Sequence, residues 1–307
     1  MTADSAATPS HLHSISAVER DTGLSKDTLR AWERRYRFPL PVRDANGERA
    51  YTQEQVETLR ALKRLVDRGH RPSKIVGQSL SDLVALVDPA PPPAEPVDPE
   101  IAATVELLRA HRVADLRQAL GQSLLRQGLA RFCTATIGPL TRHVGEAWMR
   151  GRLEVFEEHL YTETVQGLLR SALATIPPPA RAPRALLTTF PNEQHGLGLL
   201  MAEAMLALEG ATRITLGTQT PIWDVVLAAT THRADIVALS FSLAYPVAQA
   251  IEGLEELRAK LPKTVEVWAG GSNPGLVRRA VDGIVVLPHL EAIPGAVARW
   301  RESRGGD

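Results

Sequence analysis

The chain is 307 residues long, 44% hydrophobic and 23% charged, and its 35 basic residues balance 35 acidic ones. That length predicts a multi-domain protein with enough apolar content for buried cores, and no run approaches the roughly 20 apolar residues of a membrane span. A single cysteine, Cys133, excludes an internal disulfide framework and a cysteine-based zinc site, and its place between Phe132 and Ile137 predicts a buried helix position.

The neutral total conceals an uneven distribution. Residues 14–74 hold 14 Lys or Arg against 9 Asp or Glu, whereas residues 88–307 hold 21 against 24, so the N-terminal end is the expected nucleic-acid end. Residues 1–10 are small and polar, without the basic start and apolar stretch of a secretory signal, and read as a short disordered lead. The expected location is cytoplasmic and nucleoid-associated, with no membrane partner.

From residue 16 the order of elements predicts a winged helix-turn-helix. Ser16-Ala17-Val18-Glu19 reads as a capping box, Thr22-Gly23 as a stop, and Ser25 as the cap of a second helix running to about Arg35. On that second helix Leu29 and Trp32 face inward, while Lys26, Arg30, Arg34 and Arg35 face out as a recognition helix in a major groove requires. Arg43 to Tyr51 reads as a wing, with Asn46-Gly47 as a type I′ turn and with Arg43, Arg49 and Tyr51 placed to donate to phosphates. Thr52-Gln53-Glu54-Gln55 then opens a helix bearing Val56, Leu59, Leu62 and Val66, closed by Gly69. Residues 15–75, above all the run Thr28-Leu29-Arg30-Ala31-Trp32-Glu33-Arg34-Arg35-Tyr36, resemble the N-terminal domain of MerR-type regulators. The resemblance implies that Arg34, Arg35 and Tyr36 lie near the DNA backbone or groove.

In place of a long dimerising helix the chain continues into Asp88-Pro89-Ala90-Pro91-Pro92-Pro93-Ala94-Glu95-Pro96, a semi-rigid extended linker. Residues 99–176 follow with apolar positions at helix spacing: Val105 and Leu108, then Leu116, Leu120 and Leu124, then Leu140, Val144 and Trp148. They predict a four-helix bundle. Within it, Trp148 is followed after nine residues by Glu158-His159.

The last third alternates strand-like and helix-like segments, with strands expected at 185–190, 213–216, 236–240, 265–269 and 284–286. This is the pattern of a doubly wound parallel, Rossmann-like sheet of the flavodoxin-like kind, in which ligands bind beyond the carboxyl ends of the strands. Glu193-Gln194-His195-Gly196-Leu197-Gly198 follows the first strand, Ser240-Phe241-Ser242 ends the third, and Gly270-Gly271 ends the fourth. Between Gly198 and Ser240 lie 41 residues, and between Ser242 and Gly270 lie 27. The three elements at these distances resemble cobalamin-binding domains of the methionine synthase and mutase type. In that family the His takes the lower face of cobalt and the displaced nucleotide tail is buried in the sheet domain. The resemblance implies that His195 is the cobalt ligand and Glu193 the carboxylate on its other ring nitrogen, fixing tautomer and basicity. Ser240 and Ser242 are expected to bond the benzimidazole or its ribose, and Gly198, Gly270 and Gly271 to let backbone approach the tail.

In this order, a MerR-type head at residues 1–87, a linker at 88–98, a Trp-x9-Glu-His bundle at 99–176 and a cobalamin domain at 182–307 resemble the light-responsive CarH/LitR family. The resemblance implies adenosylcobalamin as cofactor, with Trp148 packed on the adenosyl group and Glu158 and His159 hydrogen-bonding around it. It implies a non-enzymatic repressor that binds double-stranded operator DNA in the dark as a tetramer, a dimer of dimers, and releases it once light breaks the cobalt–carbon bond. One residue departs from the pattern. Met149 stands where family members commonly carry a His that binds cobalt after photolysis. A thioether is a poor partner for oxidised cobalt, so no second imidazole ligand is expected here. The departure leaves open a regulator of the same architecture that senses cobalamin or a partner without a light step, and, in another class, a corrinoid methyl-carrier subunit. Glu157-Glu158 and Glu255-Glu256 read as solvated helix faces rather than as the paired carboxylates of a hydrolase.

Overall fold

Helix caps and strand alternation set the element boundaries in the computed structural model, which describes residues 12–44, 47–67, 70–87, 98–149, 151–177, 181–279 and 281–304. The chain divides into two compact units, Met1–Pro96 with Glu146–Glu154, and Val97–Gly145 with Val155–Asp307. The bundle and the sheet thus share one unit, apart from a short segment that groups with the head.

The first unit begins with β1 (His13–Ser14), α1 (Ile15–Thr22) and α2 (Lys26–Tyr36), continues through β2 (Val42–Arg43) and β3 (Arg49–Tyr51), and ends with α3 (Gln53–Asp67), α4 (Pro72–Ile75) and α5 (Leu80–Val87). The cap of α1 is Ser14, whose hydroxyl accepts from the Ala17 N–H at 3.2 Å, rather than the expected Ser16. Ser16 already lies inside the helix, and Glu19 turns to the next helix, accepting from the Lys26 N–H at 2.9 Å. Gly23 at φ 69° ends α1 with its N–H on the Glu19 carbonyl. Ser25 caps α2, and Thr52 and Gln55 form the reciprocal capping box of α3 at 3.1 and 3.3 Å.

Val18, Leu29, Trp32, Val56, Leu59 and Leu62 form the core of this unit. Antiparallel pairing in the order β1-β3-β2 builds the wing. Where the wing closes, the Asp44 N–H donates to the Glu48 carbonyl at 2.9 Å, and Gly47 lies at φ 76°. Asn46 and Gly69, which were expected to shape two turns, lie outside the described residues, as does the proline-rich run.

The second unit opens with α6 (Pro99–Arg109), capped by Asp98 with Pro at the first helical position. Next come α7 (Val113–Gln127) and α8 (Leu129–Arg131), which passes through a π-helical stretch, Phe132–Ile137, into α9 (Gly138–Met149); α10 (Val155–Ala174) closes the bundle. Leu108, Leu116, Leu120, Phe132, Ile137, Leu140, Val165 and Leu169 are buried at helix spacing. Cys133 is buried with them, and burial pushes its thiol up to about 12, so it is an inert core position.

The sheet comprises β4 (Arg181–Thr188), β5 (Ala211–Gly217), β6 (Ile236–Phe241), β7 (Glu266–Gly271) and β8 (Ile284–Leu287), alternating with α11 (Leu197–Leu208), α12 (Ile222–Thr231), α13 (Val247–Lys260), α14 (Pro274–Arg278) and α15 (Ala292–Arg304). All five strands are parallel in the order β5-β4-β6-β7-β8. Leu199, Met205, Val297 and Trp300 cover one face, and Val225, Ala229, Leu254 and Leu257 cover the other. Burial on both faces explains why the strands read as continuous apolar runs. The order reverses between β4 and β6, so the crevice at their carboxyl ends is the natural ligand position of this topology. Among the described residues no helix is long and apolar enough to cross a membrane.

Candidate functional site

The loop after β4 and the end of β6 meet at one carboxylate. Glu193 is 1% exposed, and its Oε1 accepts from the His195 backbone N–H at 3.1 Å and from His195 Nδ1 at 2.7 Å. Its Oε2 accepts from both the N–H and the hydroxyl of Ser242, each at 2.8 Å. Burial alone would push the Glu193 carboxyl up, but these four bonds together outweigh it and hold it below its ordinary value. Because a carboxylate only accepts, the proton of the neutral His195 ring sits on Nδ1 and the lone pair on Nε2. The ring is 54% exposed, and among the described residues Nε2 has no hydrogen-bond partner. The hydrogen bond to Glu193 raises the His195 pKa against its partial burial, and the charges of Glu193 and of Glu158 on α10 add to the rise. Thus β4, β6 and α10 converge on one imidazole with an outward lone pair, the donor a borderline transition metal selects.

Sequence reasoning missed the residues that hold this loop. Thr189, fully buried, donates to the Glu193 carbonyl at 2.6 Å and accepts from the Gln219 N–H at 2.8 Å, tying the loop after β4 to the loop after β5. Tyr245 donates to the Pro191 carbonyl, and buried Asn273 donates to the Tyr245 carbonyl at 2.7 Å. The available signal was the pair Thr188-Thr189 closing an apolar strand, since hydroxyls there must find partners.

Two expectations change at the floor of the site. Ser242 directs both its N–H and its hydroxyl proton to Glu193, so it supports the carboxylate instead of donating to a nucleotide tail. Ser240 retains a hydroxyl with no hydrogen-bond partner among the described residues. A Cβ on Gly198 would lie 2.9 Å from that oxygen, so glycine is what lets α11 approach β6. Gly271 sits at φ 116°, where a Cβ would overlap the Phe241 carbonyl, and a Cβ on Gly270 would lie 3.1 Å from the Leu287 carbonyl. Contacts between strands therefore already require this glycine pair.

On α10, Glu158 accepts from the Thr162 hydroxyl at 2.7 Å, and His159 is exposed 3.8 Å from Glu158. Glu157, expected on a solvated face, is buried instead and lies 3.1 Å from His111 Nε2. Its position on α10 turns it toward the bundle rather than toward water. Trp148 is half-buried on the last turn of α9, in the segment that groups with the N-terminal unit. Met149 closes α9, and its side chain lies outside the described residues.

On the head, Arg30, Arg34 and Arg35 are exposed along α2 and Lys26 is half-exposed, with Asp27 at 3.3 Å from Arg30 and Glu19 at 3.7 Å from Lys26. Arg35 lies over the Tyr36 ring at 5.4 Å. Arg43 donates to the Gly47 carbonyl within the wing, and Arg49 is half-buried, 3.1 Å from Glu33. Tyr51 corrects the expectation of a phosphate donor: it is fully buried, and its hydroxyl has no hydrogen-bond partner among the described residues. It packs in the core of the head with Val18, Val56 and Leu59, from α1 and α3.

Comparison with known proteins agrees with this arrangement. Residues 13–77 match the family described as MerR HTH family regulatory protein, and residues 101–172 match a B12 binding domain. The chain is 33% identical over 259 residues to the HTH-type transcriptional repressor CarH of Myxococcus xanthus, covering 81% of this chain and 85% of that protein. It is 31% identical over 295 residues to the HTH-type transcriptional repressor CarA of the same organism, covering 94% and 92%. The chain is similar in fold to the Methanosarcina barkeri monomethylamine corrinoid protein, with a TM-score of 0.52 at 15% identity over 64% of this chain and 96% of that one.

Proposed function

The chain belongs to the CarH/LitR family of MerR-type, B12-binding transcriptional regulators, and from that premise we propose that it is a light-responsive repressor dependent on adenosylcobalamin. The observation that carries the reading is the Glu193–His195 pair, which leaves one imidazole nitrogen free for a metal in a chain that also carries a DNA-binding head. The residues present fit the cofactor: His195 Nε2 would hold cobalt from below, and Ser240 beside Gly198 would face the nucleotide tail. Gly270 and Gly271 would keep the strand ends close beneath it. Trp148, Glu158 and His159 would cover the upper face, with Met149 beside Trp148. When bound, the cofactor supplies a weak cobalt–carbon bond that visible light breaks.

The chain's own part is to couple that event to DNA. Residues 99–176 cap the cofactor bound by residues 182–307, and residues 1–87 bind operator DNA beyond the linker at 88–98. In the dark the capped form assembles as a dimer of dimers, which raises the effective concentration of several weak heads on adjacent half-sites. After illumination the cap loses its adenosyl contacts, the tetramer separates, and the operator is released. Lys26, Arg30, Arg34, Arg35, Tyr36, Arg43 and Arg49 form the proposed DNA surface, and no catalytic role is assigned. The protein acts in the cytoplasm on the nucleoid.

A second reading is favoured by one residue. Met149 in place of the family's second cobalt-binding His points to a regulator that senses cobalamin without a light step. The methyl-carrier reading is disfavoured by the DNA-binding head. Absorption spectra of the full-length protein with adenosylcobalamin, freed of unbound ligand and taken before and after green light, separate these readings when paired with operator binding. Retained cobalamin with light-dependent release of DNA supports the photoreceptor; retention with operator binding indifferent to light supports the second reading. His195→Ala should lose cobalamin and ligand-driven assembly while its head still binds DNA. Unchanged cobalamin affinity in that variant defeats the site assignment.

A further inference from the structure

The turn between α6 and α7 carries a histidine in a conformation that favours glycine. His111 has φ 54°, with its N–H on the Leu108 carbonyl at 3.0 Å and the Arg112 N–H on the Leu107 carbonyl at 2.9 Å, the left-handed close of a helix. A residue with a Cβ holds this conformation only where its surroundings over-determine it.

Here the surroundings are the first turn of α10. The His111 ring meets the Phe156 ring at 5.3 Å between centroids, tilted by 52°, and Nε2 lies 3.1 Å from Glu157 Oε1. The Glu157 side chain is only 9% exposed while the His111 ring is 57% exposed. An ordinary surface pair contributes little because both partners stay in water; this hydrogen bond reaches a carboxylate already withdrawn from it. The two residues after Glu157 are Glu158, whose charge reaches His195, and His159. A tilted ring contact and a hydrogen bond from a distant turn therefore brace the first turn of the helix bearing these groups. Tyr161, one turn on, is tied separately to Thr141 at 2.6 Å, so the first turn depends on contacts of its own.

We propose that His111 is a positioning residue for the cofactor cap, holding the first turn of α10 so that Glu158 and His159 meet the upper ligand of cobalt. This rests on the reading of Glu158 and His159 as upper-face groups, so its test must separate the two. The measurement is the affinity of the full-length protein in the dark for adenosylcobalamin and for hydroxocobalamin, which lacks the adenosyl group. His111→Gly accepts the left-handed turn and removes the contacts; it should lower the ratio of the two affinities about fivefold, the size of one modest interaction. His111→Gln, which still reaches Glu157, should restore much of the ratio.

Equal loss of both affinities, or an unchanged ratio, overturns the proposal in favour of a purely structural role. Glu158→Gln and His159→Ala run in parallel. If they lower the ratio and His111→Gly does not, the positioning role fails while the cap stands; if none of the three does, the cap reading fails and the proposal with it. Thermal melts show that each variant folds, and if His111→Gly does not, Glu157→Gln is put through the same comparison with the same expected and overturning outcomes.

Discussion

Replacing Glu193 by glutamine changes no volume and removes only a charge and one acceptor, so its effect follows from hydrogen-bond counting. The carboxylate receives two donors from His195 and two from Ser242. An amide offers one oxygen and two donors of its own. With its oxygen toward Ser242, its NH2 faces His195 Nδ1, which must then accept; the ring proton moves to Nε2 and the metal-binding lone pair is lost. With its oxygen toward His195, its NH2 faces the Ser242 N–H and leaves that donor without an acceptor, which costs about 1–3 kcal/mol. The form competent to bind cobalt is therefore disfavoured, and cobalamin affinity should fall about 5- to 150-fold. Titration of the protein with adenosylcobalamin in the dark, followed by absorbance, reads both the affinity and whether an imidazole occupies the lower face; a thermal melt reports the fold. An affinity within about threefold of wild type, with the lower-ligand bands unchanged, would refute the claim that Glu193 sets the tautomer.

The same pair predicts a pH dependence. His195 is raised above its ordinary value, so its contribution to stability is fully present below the unfolded pKa of about 6.5 and is lost as pH rises through the folded value. Glu193 is lowered, so its contribution is present above its ordinary value of about 4.3 and is lost as pH falls through the folded one. Cobalt needs the neutral ring, so cobalamin retention should strengthen as pH rises through the raised His195 pKa; retention that is flat with pH argues against His195 as ligand. Tyr51→Phe removes a buried hydroxyl with no partner among the described residues, so stability should hold or rise by about 1 kcal/mol, and operator affinity should not change. Arg34→Ala should instead weaken binding and reduce the salt slope by about 1; an operator titration across salt concentrations compares the two. Gly271→Ala forces a Cβ against the Phe241 carbonyl at positive φ and should lower stability by about 2–4 kcal/mol in denaturant melts; a loss under about 1 kcal/mol would mean the β6–β7 junction yields. Illuminated wild-type protein should lack bis-imidazole absorption bands, and Met149→His should introduce them.

Much of this protein is legible in one dimension because its signals are local. The caps Ser25 and Thr52, the apolar strand segments at 185–188 and 236–240, and the helix stripe through Leu116 and Leu120 each depend on residues within one or two turns, and the Glu193–His195 contact spans two positions. Three short motifs at their distances carried the resemblance to cobalamin-binding domains that implied the ligand class. Other features required the third dimension. Only the paired strands show that Ser242 serves Glu193 across 49 positions, that Gly271 is held by Phe241, and that Tyr51 is fully buried while Arg49, two positions before it, is only half-buried. The withdrawal of Glu157 from water depends on a turn 46 residues away. Sequence determined which residues are candidates for the chemistry, because backbone propensity and motif spacing are short-range; tertiary structure decided which of them are buried and which stay exposed, because burial and hydrogen-bond partners are set by segments far apart along the chain.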